Sequence, residues 1–282
     1  MKSRKKLIIW TVVFVLAAVL TIWTAWANRA LTVTQITVRS EMLPEQFSKM
    51  RIAHLSDLHN TQFGQDNEEL IEIIREQKPD IIVITGDLVD SRNTDIDVAV
   101  SFAEKAVEIA PVYYVTGNHE SRIDEFPDLE ERLLAAGVTV LRDSSVPLEK
   151  GGAHINIVGI DDPDFSFAPF SQEAQHTAGK LERLCDEESF TILLSHRPEL
   201  FEVYVQYGVD LALSGHAHGG QFRLPVIGGV VAPDQGLFPK YDSGLYTSGR
   251  TNMYVSRGLG NSIFPFRVNN RPEIVMIELK AE

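Results

Sequence analysis

Five short islands of acids, amides and imidazoles punctuate the chain: Asp57-Leu-His59, Gly86-Asp87, Gly117-Asn-His-Glu120, Ser195-His196 and Gly215-His-Ala-His218. Each follows an apolar run. Their residue types bind divalent ions through hard oxygen and borderline nitrogen donors, with no thiolate among them. Hydrolysis of a phosphate ester needs a nucleophilic oxygen at neutral pH and neutralisation of charge on the phosphoryl oxygens. Two divalent ions about 3.5 to 4 Å apart supply both, by lowering the pKa of a shared water and clamping the phosphoryl group. Such a site requires one carboxylate common to both ions and further O and N ligands around each. Asp57 and His59 sit two apart at the end of an apolar run, where a bend turns both toward one ion. Asp87 follows Gly86, whose missing side chain permits a tight turn and close backbone approach, and it is the natural shared carboxylate. Asn118 offers a neutral amide oxygen, while its neighbour His119 is better placed to face a substrate than to hold an ion. His196, His216 and His218 complete the ligand set.

Taken singly these islands are weak. Asp-x-His recurs by chance, Gly-Asp is a common turn, and an isolated Ser-His is more often structural. Gly-Asn-His-Glu and Gly-His-Ala-His-Gly-Gly are more specific, because turn glycines beside adjacent imidazoles are a costly way to build a mere loop. Their joint appearance, each at the end of an apolar run, is far stronger than any one of them.

The elements that must position them follow from periodicity. Residues 31–39 alternate apolar and polar as a half-buried strand does. Residues 50–56 read as a second strand, 67–77 as an amphipathic helix ending before Pro79, and 80–85 as a buried strand closing on Gly86-Asp87. A helix over 95–109, a strand over 112–116 and a helix over 129–136 stopped by Gly137 continue the alternation. In such β-α-β-α-β order, loops leaving the carboxyl ends of parallel strands form the crevice where open α/β sheets bind ligands. Beyond Gly137 the runs shorten, with strands expected at 155–160, 191–194, 211–213, 253–256 and 274–279. A second sheet packed on the first would accommodate them. Between Leu224 and Thr251 glycine and proline are frequent and periodicity is lost, which predicts a long surface loop.

At 282 residues, 44% apolar and 23% charged, the chain is ordinarily globular. Its formal net charge is −13. The first 28 residues carry Lys2, Arg4, Lys5 and Lys6 with no acid before Arg29, so the rest is more acidic still. A phosphate backbone would be repelled by that field, so no nucleic-acid partner is expected. No obligate protein partner is inferred. Cys185, the only cysteine, rules out an intrachain disulfide or a cysteine-rich zinc module and reads as a small apolar residue on a helix. The amino terminus divides the chain into an anchor or signal segment, 1–28, and a globular domain, 29–282. An uncharged 21-residue run begins at Leu7 and ends at Ala27, long enough to cross a bilayer as a helix. Its cationic flank comes first, which holds the terminus in the cytoplasm and sends the domain outward. Trp23 and Trp26 suit an interfacial belt. Ala25-Trp-Ala27 also has the form of a signal-peptidase site, giving an exported protein if cleaved, and Ser3-Arg-Lys is a degenerate twin-arginine start. A buried core helix is the third alternative.

Side chains with lesser claims are Arg257, a cation able to bind phosphate but more simply a salt-bridge partner, with Asn261, Asp161 and Asp162. His54 lies mid-strand as a packed imidazole, and His154 and His176 read as surface residues. Phe238, Tyr241, Phe264 and Phe266 could form an apolar lip beside a bilayer, with ordinary packing as the simpler role.

The islands together resemble the calcineurin-like metallophosphoesterase superfamily, whose pattern is D-x-H, G-D-x-x-D, G-N-H-[ED], H and G-H-x-H, spanning Asp57 to His218 here. The resemblance implies a four-layer α-β-β-α sandwich of two mixed sheets flanked by helices. It also implies that Asp57, His59, Asp87 and His218 hold one divalent ion and Asp87, Asn118, His196 and His216 the other, with Mn, Zn or Fe as the metals. His119 would act on the leaving oxygen, with Asp90 orienting it. The tail from Gly219 is similar to a bacterial membrane-anchored or exported phosphodiesterase branch, which implies a phosphodiester or pyrophosphate substrate in a membrane lipid or envelope polymer. Some relatives of that branch hydrolyse UDP-2,3-diacylglucosamine, a cytoplasmic substrate at odds with an outward-facing domain. A non-catalytic, metal-stabilised envelope-binding module is a further alternative. Arg122 echoes protein serine/threonine phosphatases, yet Ser91 stands where their arginine would follow Asp90.

Overall fold

The computed structural model describes residues 2–166, 169–186, 188–261 and 264–282. Helix α1 (Lys2–Ala27) meets the domain only at its last turns: over the rest of its length its apolar side chains are exposed on every face, Leu7, Trp10, Phe14 and Ile22 among them. A helix that is apolar all round and leaves nearly all of that surface exposed is not a core helix. By length and composition its residues from Arg4 to Ala27 are able to cross a membrane.

The domain starts with β1 (Thr32–Ser40), β2 (Arg51–Leu55), α2 (Glu68–Gln77), β3 (Ile81–Thr85), α3 (Ile96–Val107), β4 (Val112–Val115), α4 (Phe126–Ala135) and β5 (Thr139–Val140). It continues with β6 (Ser144–Lys150), β7 (Ala153–Gly159), α5 (Glu173–Leu184), β8 (Thr191–Leu194), α6 (Phe201–Gln206) and β9 (Leu211–Ser214). Two small ribbons follow, β10 (Arg223–Leu224) with β11 (Gly228–Gly229) and β12 (Val231–Ala232) with β13 (Gly236–Leu237). The last strands are β14 (Gly244–Ser248), β15 (Thr251–Val255) and β16 (Glu273–Ala281). They form two six-stranded mixed sheets, ordered β1-β16-β2-β3-β4-β5 and β14-β15-β9-β8-β7-β6.

Strand parity distributes the core into three apolar layers. Ala53, Leu55, Ile82 and Ile84 face helices α2 to α4, while Ile52, Ile81 and Val83, one residue out of phase, face the second sheet. There they meet Ile155, Ile157, Ile192, Leu194 and Leu211. The other face of that sheet, with Val158, Leu193 and Ala212, packs on Leu181 of α5 and Phe201 and Tyr204 of α6. Helices, sheet, sheet, helices is therefore the four-layer order expected. Parallel strands buried on both faces read as unbroken apolar runs, which is why Ile81–Thr85 is wholly buried.

Three expectations need correction, and for Tyr241 the packed alternative holds. The strand near 274–279 joins the first sheet, where β16 inserts between β1 (parallel, Thr32 opposite Glu273) and β2 (antiparallel). The span 224–251 is no bare loop, since it carries both ribbons and the edge strand β14. Tyr241 is buried against Phe201 and Tyr246 and belongs to no exposed lip, whereas Phe238, Phe264 and Phe266 are exposed. Cys185 lies just past α5, half-buried, and burial pushes its thiol up to about 11. His54 is a core imidazole sharing a 2.8 Å hydrogen bond with Thr85 Oγ1, and His154 and His176 are on the surface.

Candidate metal centre

The loops after β2, β3, β4, β8 and β9 carry the five islands to the same end of the two sheets. Backbone bonds stitch neighbouring loops: His59 N–H donates to Asp87 O and Asp57 N–H to Gly86 O. Gly86 has φ +84°, and a Cβ there would lie 2.5 Å from the Gly117 nitrogen, so the β3 and β4 loops touch only because no side chain intervenes. Glu120 locks that contact, its buried carboxylate accepting the N–H groups of Gly117 (2.7 Å), Asp87 (2.9 Å) and Val89 (3.3 Å). Burial, then the nearby charge of Asp87, raises Glu120 to about 7.

Two overlapping groups of donor atoms result, Asp57-His59-Asp87-His218 and Asp87-His196-His216, each with its atoms within 4.8 Å of one another. Asp87 Oδ2 lies 3.5 Å from His59 Nε2 and 3.2 Å from His196 Nε2. His218 Nε2 is 3.2 Å from His59 Nε2 and 3.5 Å from Asp57 Oδ1, and His216 Nδ1 is 3.2 Å from His196 Nε2. Donors sharing an ion at about 2.1 Å sit about 3.0 to 3.4 Å apart, close to these separations. The Asn118 amide oxygen is buried and has no hydrogen-bond partner among the described residues. A buried acceptor left so is costly unless something cationic faces it. These observations fit a pair of divalent ions.

Backbone conformation points the same way. Asp57, His59, Asp87, His216 and His218 all have left-handed φ, from 46° to 66°. Such residues cost on the order of 1–3 kcal/mol each and persist where surrounding structure over-determines them, often at functional sites. Electrostatics concentrates there too. Burial opposes ionisation of Asp87, yet His196, His59 and His119 outweigh it and hold the carboxyl well below its usual range. Burial alone would depress His196, but Asp87 and then Asp57 raise it to about 10. Burial dominates at His59, which falls to about 3.

The candidate ligand imidazoles are aimed by further partners, as ion-binding histidines commonly are. His196 Nδ1–H donates to Thr85 O at 2.6 Å, leaving Nε2 toward the carboxylates. His216 Nε2 lies 2.8 Å from Asp234 Oδ2, leaving Nδ1 inward. Ser195 Oγ bonds Tyr204 Oη, which donates to Arg197 O, so Ser195 is structural. His119 stands beside His59, ring centroids 4.5 Å apart. Its Nδ1 accepts the Ser91 N–H at 2.9 Å, so the neutral ring carries its proton on Nε2. Burial lowers its pKa, against Asp87 and Asp90, favouring that neutral form. Asp90 lies 3.5 Å from the same Nδ1 but spends its carboxylate chiefly on Arg92, at 2.5 and 2.9 Å.

Arg257 points its guanidinium at Glu273 (2.8 Å), the salt-bridge alternative to a phosphate contact. Asn261 accepts from Arg267, and Asp161 pairs with Arg142. Asp162 has a larger part than its sequence context suggests. It binds Arg197 through two bonds, at 2.6 and 2.9 Å, and the same buried guanidinium reaches Asp164 (3.0 Å) and Asp234 (2.5 Å). Arg197 thus fixes Asp234 and, through it, His216. Neither Arg197 nor Asp234 nor the locking role of Glu120 was legible in spacing. The available signals were adjacency, Arg197 directly following His196, and the Ala-Pro-Asp-Gln-Gly segment.

Comparison with known proteins bears on the same residues. The family model described as calcineurin-like phosphoesterase matches residues 50–220. The metallophosphoesterase YkuE of Bacillus subtilis is 33% identical, over 88% of this chain and 85% of its own. The phosphodiesterase YaeI of Escherichia coli is 30% identical, over 86% of each. Among solved structures, TT1561 of Thermus thermophilus superposes with a TM-score of 0.52 at 14% identity, covering 74% of this chain and 90% of that one, a likeness of fold.

Proposed function

The chain belongs to the calcineurin-like phosphoesterase family of metal-dependent hydrolases, and on that premise we propose that it hydrolyses phosphodiester or pyrophosphate bonds of a membrane lipid or envelope polymer. The observation that carries the two-ion form is the sharing of Asp87 between two groups of converging donors. Asp57, His59, Asp87 and His218 would hold one divalent ion, and Asp87, Asn118, His196 and His216 the other. Bound there, such ions supply an activated water and neutralise the phosphoryl oxygens. Imidazole, carboxylate and amide donors suit Mn, Zn or Fe.

The chain's own residues would do the rest. His119, neutral and carrying its proton on Nε2, hydrogen-bonds the leaving oxygen and stabilises the negative charge that develops there, while the Ser91 N–H fixes its ring. Asp90 sits close enough to Nδ1 to favour the imidazolium if the ring gains charge. Arg197 and Asp234 hold His216 in register. The run ending at Ala27 keeps the domain at the membrane, on the side opposite the cationic terminus.

The test is hydrolysis of bis(p-nitrophenyl) phosphate by the full chain with added Mn²⁺ or Zn²⁺. Turnover should vanish with EDTA and in Asp87→Ala. A metal-loaded protein inert on a panel of phosphodiesters and pyrophosphates would refute the proposal.

A further inference from the structure

The helix does not dangle from the domain. Asn28, one residue beyond α1, receives the Arg267 N–H on its Oδ1 (2.6 Å) and donates from Nδ2 to Arg267 O (2.9 Å). Arg271 donates to Ala30 O (2.8 Å) and Leu31 O (2.7 Å), and its guanidinium lies 5.2 Å from the Trp26 ring centroid. Between the last turns of the helix and the domain lies a largely apolar groove of about 1170 Å³. Leu20, Thr24 and Ala25 form one wall; Thr61, Asn261 and Phe266 form the other.

We propose that this groove seats the acyl chains of one bilayer glycerophospholipid with its phosphodiester directed toward the metal centre. Leu20, Thr21, Thr24, Ala25 and Trp26 of its lining belong to the apolar helix, so the groove adjoins hydrocarbon if that helix spans a bilayer. Its domain wall is carried by the loops that neighbour the site: Thr61 is two residues from His59, and Asn261 follows Gly260, whose N–H donates to Asp57 O at 2.6 Å. Arg29, also on the lining, offers a cation to an anionic headgroup in a domain that is otherwise strongly acidic. The surface beside the groove continues the apolar character. Phe222 packs on Phe264 and Phe266, ring centroids 5.3 and 5.6 Å away, and the adjoining ribbon exposes Val226 and Ile227 at its tip. Exposed apolar surface contiguous with a membrane-spanning helix is surface made for lipid. The inference rests on the hydrolytic reading above and on the helix being retained.

Ala25→Trp and Thr21→Trp fill the groove from its helix wall without touching the metal centre; Val15→Trp, higher on the helix, is the control. Each full-length protein is placed in nanodiscs of phosphatidylcholine containing phosphatidylglycerol, and hydrolysis of that lipid is compared with hydrolysis of bis(p-nitrophenyl) phosphate. Native mass spectrometry of the detergent-solubilised protein counts retained phosphatidylglycerol independently of turnover. The expected result is one retained lipid in the wild type and Val15→Trp, lost in both filled variants, whose lipid-to-soluble rate ratio falls at least tenfold. Equal lipid retention in all variants, or a rate ratio within twofold of wild type, overturns the groove. A wild type that retains the lipid yet hydrolyses no ester refutes the proposed reaction and leaves the groove standing.

Discussion

Replacing Arg197 by Met should destabilise the protein in a way that depends on pH. Arg197 is 2% exposed and answers Asp162, Asp164 and Asp234 at 3.0 Å or less. Removing one partner of a buried ion pair costs about 3–5 kcal/mol, because it strands the other charge. Asp164 and Asp234 keep side-chain exposures of 28% and 35% and can turn to water, so the cost falls chiefly on Asp162, whose side chain is 0% exposed, and secondarily on Glu199, 3.6 Å from the guanidinium and 14% exposed. A stranded carboxylate escapes by taking up a proton. From an ordinary pKa that costs about 4 kcal/mol at pH 7, at about 1.4 kcal/mol per pH unit, which caps the Asp162 contribution. In the wild type, burial pushes Asp162 up but Arg197 outweighs it and holds the carboxyl below its usual range. Its stabilising contribution is therefore present above the unfolded pKa and lost only as pH falls below it, so it is flat between pH 7 and 5. In Arg197→Met the native state binds the extra proton, so stability rises as pH falls. The expected deficit is about 3–4 kcal/mol at pH 7, smaller by about 2.5 kcal/mol at pH 5. Urea unfolding of the full chain in detergent with EDTA present, at pH 7, 6 and 5, measures it. A deficit below about 1 kcal/mol at pH 7, or one that does not change with pH, would refute the account.

Three further outcomes are expected. His119→Ala should lower kcat about 10²- to 10⁴-fold while two ions per chain remain by elemental analysis; loss of the ions instead would make His119 a ligand. Gly86→Ala forces a Cβ onto the Gly117 nitrogen at φ +84°, and should cost at least about 2 kcal/mol in denaturant unfolding; a change under about 0.5 kcal/mol would show that the loops have room. Protease added outside intact cells should digest the domain but not the amino-terminal residues before Leu7; protection of the domain would place the centre in the cytoplasm.

Much of the candidate centre was legible because the residues proposed as its ligands obey local rules. Each lies at the carboxyl end of a buried strand, so Ile81–Thr85 announces Asp87 and Val112–Val115 announces Asn118 and His119. What supports them was not, because it depends on pairing at long range. Asp234 meets His216 through a segment whose Gly and Pro content hides two ribbons of two residues per strand, too short to show periodicity. The strand Ser144–Lys150 carries Pro147 and two charges on a sheet edge, where a half-exposed pattern gives little apolar signal. Helix α6 is only six residues long, and a run of that length has no resolvable period.

The place of β16 has a consequence for the order of assembly. Its residues Glu273 to Ala281 lie between β1 and β2, pairing Thr32 with Glu273 and His54 with Val275. The first sheet therefore has a gap at its second position until the chain has been delivered as far as Glu273. Contacts so distant in sequence close slowly, because the loop entropy falls due before the pairing rewards it. During synthesis Asp57 and Asp87 can be brought together by β2 and β3 alone, but the β1 edge of the sheet stays unsealed. A chain threaded through a membrane from its amino-terminal end would thus keep its first sheet open between β1 and β2 until Glu273 to Ala281 had crossed.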